Sequence, residues 1–369
     1  MRGVELFRES KVYRNGAPCN HFLTEMFVQY ITTLAMLLVF APSVVAHHSD
    51  AGINLNTLVT LEGSITEFYW RNPHVYFTME AADGRGELVE WTVQMGSAIT
   101  SARRGWTRDS LSAGDRVTVR AFPAEDGQPY GILGRDPGSL VREGEIIFTE
   151  PLYAAESTVT TSSLEGTWMT NRSEWPRPTG LFFAAQLRLT EKGTAARAAY
   201  NEFSDENPEA RCIGRPTPSP IIASNLFALQ IGINEEEEIA VIRTEFFDAE
   251  RIVYMDGRVH PGDRDTFPEG HSIGWWDEDT LVVDTENFSN HRSPYQMGVP
   301  SGIQKHVVER YRLKKGGTRM VVEFTLEDPE YIAEPLTHTR ELIYSPQLEL
   351  SRYDCDLEAA RRFMSQGGG

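Results

Sequence analysis

Basic side chains are in short supply: 35 Lys and Arg face 53 Asp and Glu, a net charge of −18. A body of that sign repels phosphate backbones and anionic lipid surfaces, which argues against nucleic acid as a partner. Cysteine is scarcer, with Cys19, Cys212 and Cys355 alone in 369 residues. No internal repeat relates one half of the chain to the other, and no motif by itself settles a reaction. Apolar residues make up 40% and charged residues 24%, within the range of globular rather than disordered chains. The length suffices for two domains of ordinary size, each with its own core.

One long uncharged apolar run stands out, Met26 to Ala46 (MFVQYITTLAMLLVFAPSVVA). Pro42 and the small residues Val44 and Ala46 close it, the spacing a signal peptidase reads, and cleavage is expected between Ala46 and His47. Translation starts either at Met1 or at Met26; the earlier start places Lys11 and Arg14 ahead of the run. Uncleaved, residues 27–46 could just span a bilayer, so the expectation is a periplasmic or secreted protein, with inner-membrane anchoring as the alternative. Contact with a membrane is expected only through that segment. Loss of residues 1–46 removes four basic and three acidic side chains and leaves −19.

Export frames the cysteines. Cys19 leaves with the leader, and two remaining thiols in an oxidising compartment are most simply a disulfide. A Cys212–Cys355 bond would close a loop of 143 residues, for which chain entropy offers at most about 5 kcal/mol. The alternative is two separate buried thiols.

From Val59 onward, short alternating runs are punctuated by turn residues. Strands are expected at 59–70, 74–81, 88–95, 115–124, 129–135 and 144–150, with a short helix at 97–105 that Ser97 can cap. Three strands, a helix and two or three strands make the order of an OB-type small barrel. Residues 151–163 read as a linker. Beyond them come Gly166–Met169, one alanine-rich helix at 191–203, and strands near 225–232, 239–246, 250–255, 272–277, 279–285, 303–314, 318–326, 336–344 and 348–354. Tight turns join them, which predicts an antiparallel meander closing into a larger, calycin-like barrel. The expected chain is therefore all-β: a leader over 1–46, an OB-type barrel over 47–150, the linker, a second barrel over 164–358 and a flexible tail over 359–369.

The run Ala46-His47-His48-Ser49, followed by Gly63-x-Ile65, Trp70-x-Asn72-Pro73-His74, Gly105-Trp106 and Leu111-x-x-Gly114-Asp115, resembles a family of small exported bacterial proteins of unknown function, DUF6152. The second half is similar to a further uncharacterised exported group. It is so through Tyr254-x-Asp256-Gly257-Arg258-x-His260-Pro261, Gly270-His271-Ser272-x-Gly274-x-Trp276, the run Asp279 to Thr285, and Glu309-Arg310. These resemblances imply compartment and architecture, and no activity.

Three functions follow as expectations. The first is a non-catalytic binding protein whose second barrel holds a small ligand, drawing on His260, Trp276, His306 and Arg310. The second is an enzyme of isomerase or lyase type, with acid–base chemistry on His271, Asp284 and Glu309. The third is a copper protein: a processed terminus His47-His48 offers an amine and imidazoles, and His74 is a candidate further nitrogen. Each has a plainer counterpart. His74 can hold its turn by bonding a backbone carbonyl, and His47 and His48 can simply trail the cleavage site. Asp284 and Arg310 can pair inside the barrel. Gly270-His271-Ser272-Ile273-Gly274 has the outline of a nucleophile elbow but lies among antiparallel strands, which speaks against a serine hydrolase. Glu235–Glu238 reads as a solvated hairpin tip with weak Ca²⁺ attraction at most, and one of Trp275 and Trp276 is expected in the core.

Overall fold

A computed structural model of the chain describes residues 52–362, except 84, 137, 148–157, 171–182, 184–185, 263–264 and 296–297. By compactness the chain divides into units 1–45 and 46–369, and every described residue lies in the second. The apolar run, Cys19, His47 and His48 lie outside the described residues. Among the described residues no helix is long and apolar enough to cross a membrane.

The first barrel uses β1 (Val59–Tyr69), β2 (Tyr76–Ala82), β3 (Leu88–Gln94), β4 (Arg116–Pro123) and β5 (Tyr130–Leu133). They close in the order β1-β2-β3-β5-β4-β1, the circuit expected of an OB-type barrel. Closure depends on β1, which pairs with β2 on one side and β4 on the other. Gly63 stands where both pairings overlap, opposite Ala81 and Val117. A Cβ there would lie 1.9 Å from the Glu80 carbonyl oxygen, so only glycine lets the strands approach this closely. Between β3 and β4 a helix, Ala98–Ala102, is capped by Ser97, whose hydroxyl accepts from the Thr100 amide as its sequence position predicts. The short strands β6 (Leu140–Arg142) and β7 (Glu145–Ile146) continue the sheet, β6 on β4 and β7 on β6; of the strand expected at 144–150, residues 148–150 lie outside the described residues.

The second barrel has nine strands: β8 (Gly166–Met169), β9 (Leu229–Asn234), β10 (Ile239–Thr244), β11 (Glu250–Tyr254), β12 (His271–Asp277), β13 (Thr280–Glu286), β14 (His306–Lys314), β15 (Arg319–Glu327) and β16 (Leu336–Tyr344). They pair in chain order and β8 closes the circuit between β16 and β9. Trp168, Leu281, Val283, Val307, Tyr311, Phe324 and their neighbours fill the interior. The expected strand at 348–354 is not formed; this stretch runs outside the barrel and ends in the helix Leu357–Arg361. Ala359 and Ala360 are buried, so the chain is packed where a flexible tail was expected to begin. That helix is capped by Asp356, which accepts from the Ala359 amide.

The meander is broken once. β11 and β12 run parallel, with Val253 opposite Ser272 and Tyr254 opposite Ile273. Parallel neighbours cannot be joined by a hairpin and need a long crossover. Residues 255–270 form it, and this departure from an all-antiparallel barrel positions the site described below.

The two barrels are packed together along the 353–356 segment. Asn72 donates through Nδ2 to the Tyr353 carbonyl, accepts from the Ala98 amide at Oδ1 (2.8 Å), and offers its own carbonyl to the Asp356 amide (2.8 Å). Arg103 reaches across to Glu245 (2.5 Å) and the Leu226 carbonyl (2.8 Å). Ile99, Phe227, Phe246 and Tyr353 form an apolar cluster at the same junction. Cys212 and Cys355 are bonded, with Cα atoms 5.8 Å apart, which ties this segment to the body of the second barrel.

Candidate functional site

Alternation along β13 decides which groups can meet. Leu281, Val283 and Thr285 face the interior; Asp284 and Glu286 face outward, because side chains two apart share a face. On β14, Val307, Glu309 and Tyr311 point in, and His306 and Arg310 point out. Across the β13–β14 ladder Glu309 stands opposite Val283, and Asp284 opposite Val308. The expected trio of His271, Asp284 and Glu309 is therefore not assembled: Glu309 lies on the other side of the sheet.

Inside, Glu309 is fully buried. It accepts from Arg251 (2.5 Å) and from the Thr217 hydroxyl, while Arg251 also donates to Ser272 (3.2 Å) and Thr285 (2.8 Å). A buried ion pair survives only when hydrogen bonds satisfy the remaining lone pairs and protons, and these contacts do so. Ser272, 1% exposed within a strand, belongs to this network and has none of the exposure of a nucleophile elbow. Lys305 donates to the Thr217 carbonyl and lies 4.1 Å from the centre of the Phe288 ring. Burial pushes its amine down to about 7.

Outside, three histidines and a carboxylate form a connected group. His306 Nε2 lies 2.7 Å from Asp284 Oδ1. Glu286 Oε1 is 3.9 Å from the same nitrogen, and Glu327 Oε2 is 3.8 Å from His306 Nδ1. His260, delivered by the crossover, places Nε2 3.6 Å from Asp284 Oδ1 and Nδ1 2.9 Å from His271 Nδ1. The bond to Asp284 raises the His306 pKa against the opposing effect of burial. Burial lowers that of His271, helped by His260 and Arg258 nearby.

A stack holds His271. Tyr254 lies against its ring at 5.3 Å between centroids and 23° between planes, and the Arg258 guanidinium covers Tyr254 at 3.7 Å. Asp256 grips Arg258 at Nε (2.9 and 3.0 Å) and Nη2 (2.6 Å). Residues 254, 256, 258, 260 and 271, noticed in sequence as a spaced pattern, thus form one chain of contacts. Gly270 turns the crossover into β12 with φ +75°, and a Cβ there would meet Thr285 at 2.7 Å.

The other candidates lie elsewhere. Arg310 bonds Asp277 on the outer surface, so the pairing of Asp284 with Arg310 inside the barrel is corrected: both point outward, each to a different partner. Trp275 and Trp276 are 45% and 48% exposed at the end of β12, where the barrel interior has run out, so neither is a core residue. His74 Nδ1 sits 3.3 Å from the Met95 carbonyl in the first barrel, the turn-holding contact weighed against ligation. Asn234 Oδ1 accepts from the Glu236 and Glu237 amides, which makes Glu235–Glu238 a hairpin tip.

Sequence reasoning passed over Arg251, Glu286 and Lys305. The signals were present for two of them. Glu286 lies two residues beyond Asp284 on the same face, and Arg251 takes the inward phase of a strand otherwise apolar there.

Asp284, Glu286 and His306 each offer one donor atom, all within 4.8 Å of one another, as a metal ion would require. Imidazole nitrogen with carboxylate oxygen suits borderline divalent cations of the first transition row. Donors about 2 Å from a tetrahedral ion stand about 3.3 Å apart. Within the trio the His306–Glu286 separation of 3.9 Å is near that value, and the 2.7 Å contact of His306 with Asp284 is a hydrogen bond whose proton the ion would replace.

Residues 35–133 match the family described as "Family of unknown function (DUF6152)". The match spans the first barrel, where the resemblance was read, and carries no activity. No curated protein matches the chain. In the first barrel motif residues have structural work: beside Gly63 and His74, Asn72 docks the C-terminal segment, and Trp106 is 2% exposed in the core.

Proposed function

We propose that this chain is an exported, non-catalytic metal-binding protein of the cell envelope, and that its second barrel binds a borderline divalent cation on the outer face. The convergence of Asp284, Glu286 and His306 donor atoms carries the reading. The charge of −18 favours cation capture over anion binding, and the Cys212–Cys355 bond suits an oxidising compartment. The site is built on strand ends within one sheet, with Asp284 half-buried so that solvent competes less for its charge. The enzyme reading has less support, because its three groups are divided between the two faces of the sheet.

Calorimetric titration of the metal-stripped full chain with Zn²⁺ tests the proposal. One ion should bind per chain, and Asp284→Asn or His306→Ala should abolish binding while leaving the fold intact by circular dichroism. Unchanged affinity in both variants refutes the site.

A further inference from the structure

We infer that Glu327 is the positioning residue of this cation site, holding His306 through Nδ1 so that Nε2 is the ligating nitrogen; the inference rests on the metal-binding reading above. His306 opens β14 and stands directly opposite Glu327, the last residue of β15. On its other side Thr285 pairs with Val307, and one further step of that antiparallel register sets Glu286 beside His306. The imidazole therefore lies in a row on the outer face between two carboxylates, one from each neighbouring strand. Side chains placed opposite one another in this way are the ones that interact across a sheet.

The two ring nitrogens divide between the two strands. Nε2 faces β13, 2.7 Å from Asp284 Oδ1 and 3.9 Å from Glu286 Oε1. Nδ1 faces β15, 3.8 Å from Glu327 Oε2. The lone-pair directions of the two nitrogens diverge, so an ion gathered by Asp284, Glu286 and Nε2 lies on the far side of the ring from Glu327. Glu327 is thereby set apart from the ligands and placed where a ligating imidazole needs an acceptor.

The chemistry of the ring gives that place its use. A neutral imidazole carries one ring proton, and an ion on Nε2 requires that proton on Nδ1. Ligating histidines ordinarily donate this N–H to a carboxylate, a backbone carbonyl or water, which fixes both tautomer and ring orientation. An approach of about 0.6 Å brings the Glu327 oxygen into the usual N–H···O range. The side chain is 49% exposed at a strand end, so it can make that movement without disturbing the core. An ion at Nε2 draws charge from the ring and makes Nδ1–H a stronger donor, so ion and carboxylate reinforce one another through His306.

The test titrates the metal-stripped, disulfide-bonded full chain with Zn²⁺ by calorimetry and reads the histidine ring nitrogens of the loaded form by NMR, the His306 signals being those missing from His306→Gln. In wild type, zinc should sit on His306 Nε2 and the proton on Nδ1. Glu327→Ala should weaken binding by about 10- to 100-fold. It should also move the Nδ1 proton signal upfield, as expected when a strong acceptor is lost. Glu327→Gln, whose amide oxygen still accepts the proton, should recover part of the affinity. Thermal unfolding of the metal-free variants should match wild type, because the side chain is half-exposed. No Zn²⁺ binding by wild type refutes the metal site and this inference together. Wild-type affinity in Glu327→Ala refutes the positioning role alone, as does zinc found on Nδ1. Equal losses in Glu327→Ala and Glu327→Gln also refute it, since the carboxylate charge by itself would then account for the effect.

Discussion

Glu309 and Asp284 stand on adjacent strands of one sheet and on opposite sides of it. Glu309 faces Arg251 in the interior, and Asp284 faces His306 at the surface. Two carboxylates close in the fold therefore belong to separate systems, one structural and one open to solution.

That separation is measurable. Glu309→Leu strands the Arg251 charge inside the barrel and should cost about 3–5 kcal/mol in urea unfolding. The double variant Arg251→Met/Glu309→Leu should recover most of the loss. Zn²⁺ affinity should stay unchanged in the double variant, because the exterior ligands are untouched. A double variant as unstable as the single one would mean that Thr217, Ser272 and Thr285 need the pair.

Removing the Cys212–Cys355 bond should destabilise the junction of the two barrels. For a loop of 143 residues the chain-entropy limit is about 5 kcal/mol, and Cys212→Ala/Cys355→Ala should fall at or below it. Denaturant midpoints of the two forms under non-reducing conditions give the comparison. Equal midpoints would show that packing around Tyr353 alone secures the segment.

Asn72→Ala should act far from its own strand. It removes bonds to the Tyr353 carbonyl and the Ala98 amide, and strands those groups at a cost of about 1–3 kcal/mol each. Amide hydrogen exchange should quicken at Asp356 and Ala98 before it does in the β13–β14 ladder. Uniform acceleration across both barrels would contradict a local tether.

The apo protein should show a pH-dependent contribution from His306. Its folded pKa is raised above 6.5, principally by Asp284, so its stabilisation is complete below that pH and is lost as pH rises through the folded value. Lys305 acts in the opposite direction: with its folded pKa near 7 against 10.5, stability rises with pH between those values. The His306 contribution is therefore read as the difference between wild type and His306→Gln. That difference should shrink as pH increases, and a difference that grows with pH would reverse the assignment.

Much of this was legible locally. Ser97 as a helix cap, the succession of strands and helix along the first barrel's chain, and the turns at Asn234 and Asp277-Glu278-Asp279 all depend on near neighbours in the chain. The site was legible in parts: His260, His271, Asp284 and His306 were singled out, but as members of different groups. Strand phase misassigned Glu309, because the apolar run Leu281–Val283 concealed which residue of β14 faces which. Trp275 and Trp276 were placed by hydrophobicity, whereas their exposure reflects how close they lie to the strand end.

Composition and alternation alone determined an acidic, β-rich body, its two-barrel content and the pairing available to its last two cysteines. These follow from properties that each short segment carries for itself. Only the tertiary structure decided that β11 and β12 run parallel, that the crossover returns His260 to Asp284, and that Asn72 grips a segment 281 residues away. Long-range register is set by which pairings close both barrels at once, and no local window of sequence contains that constraint.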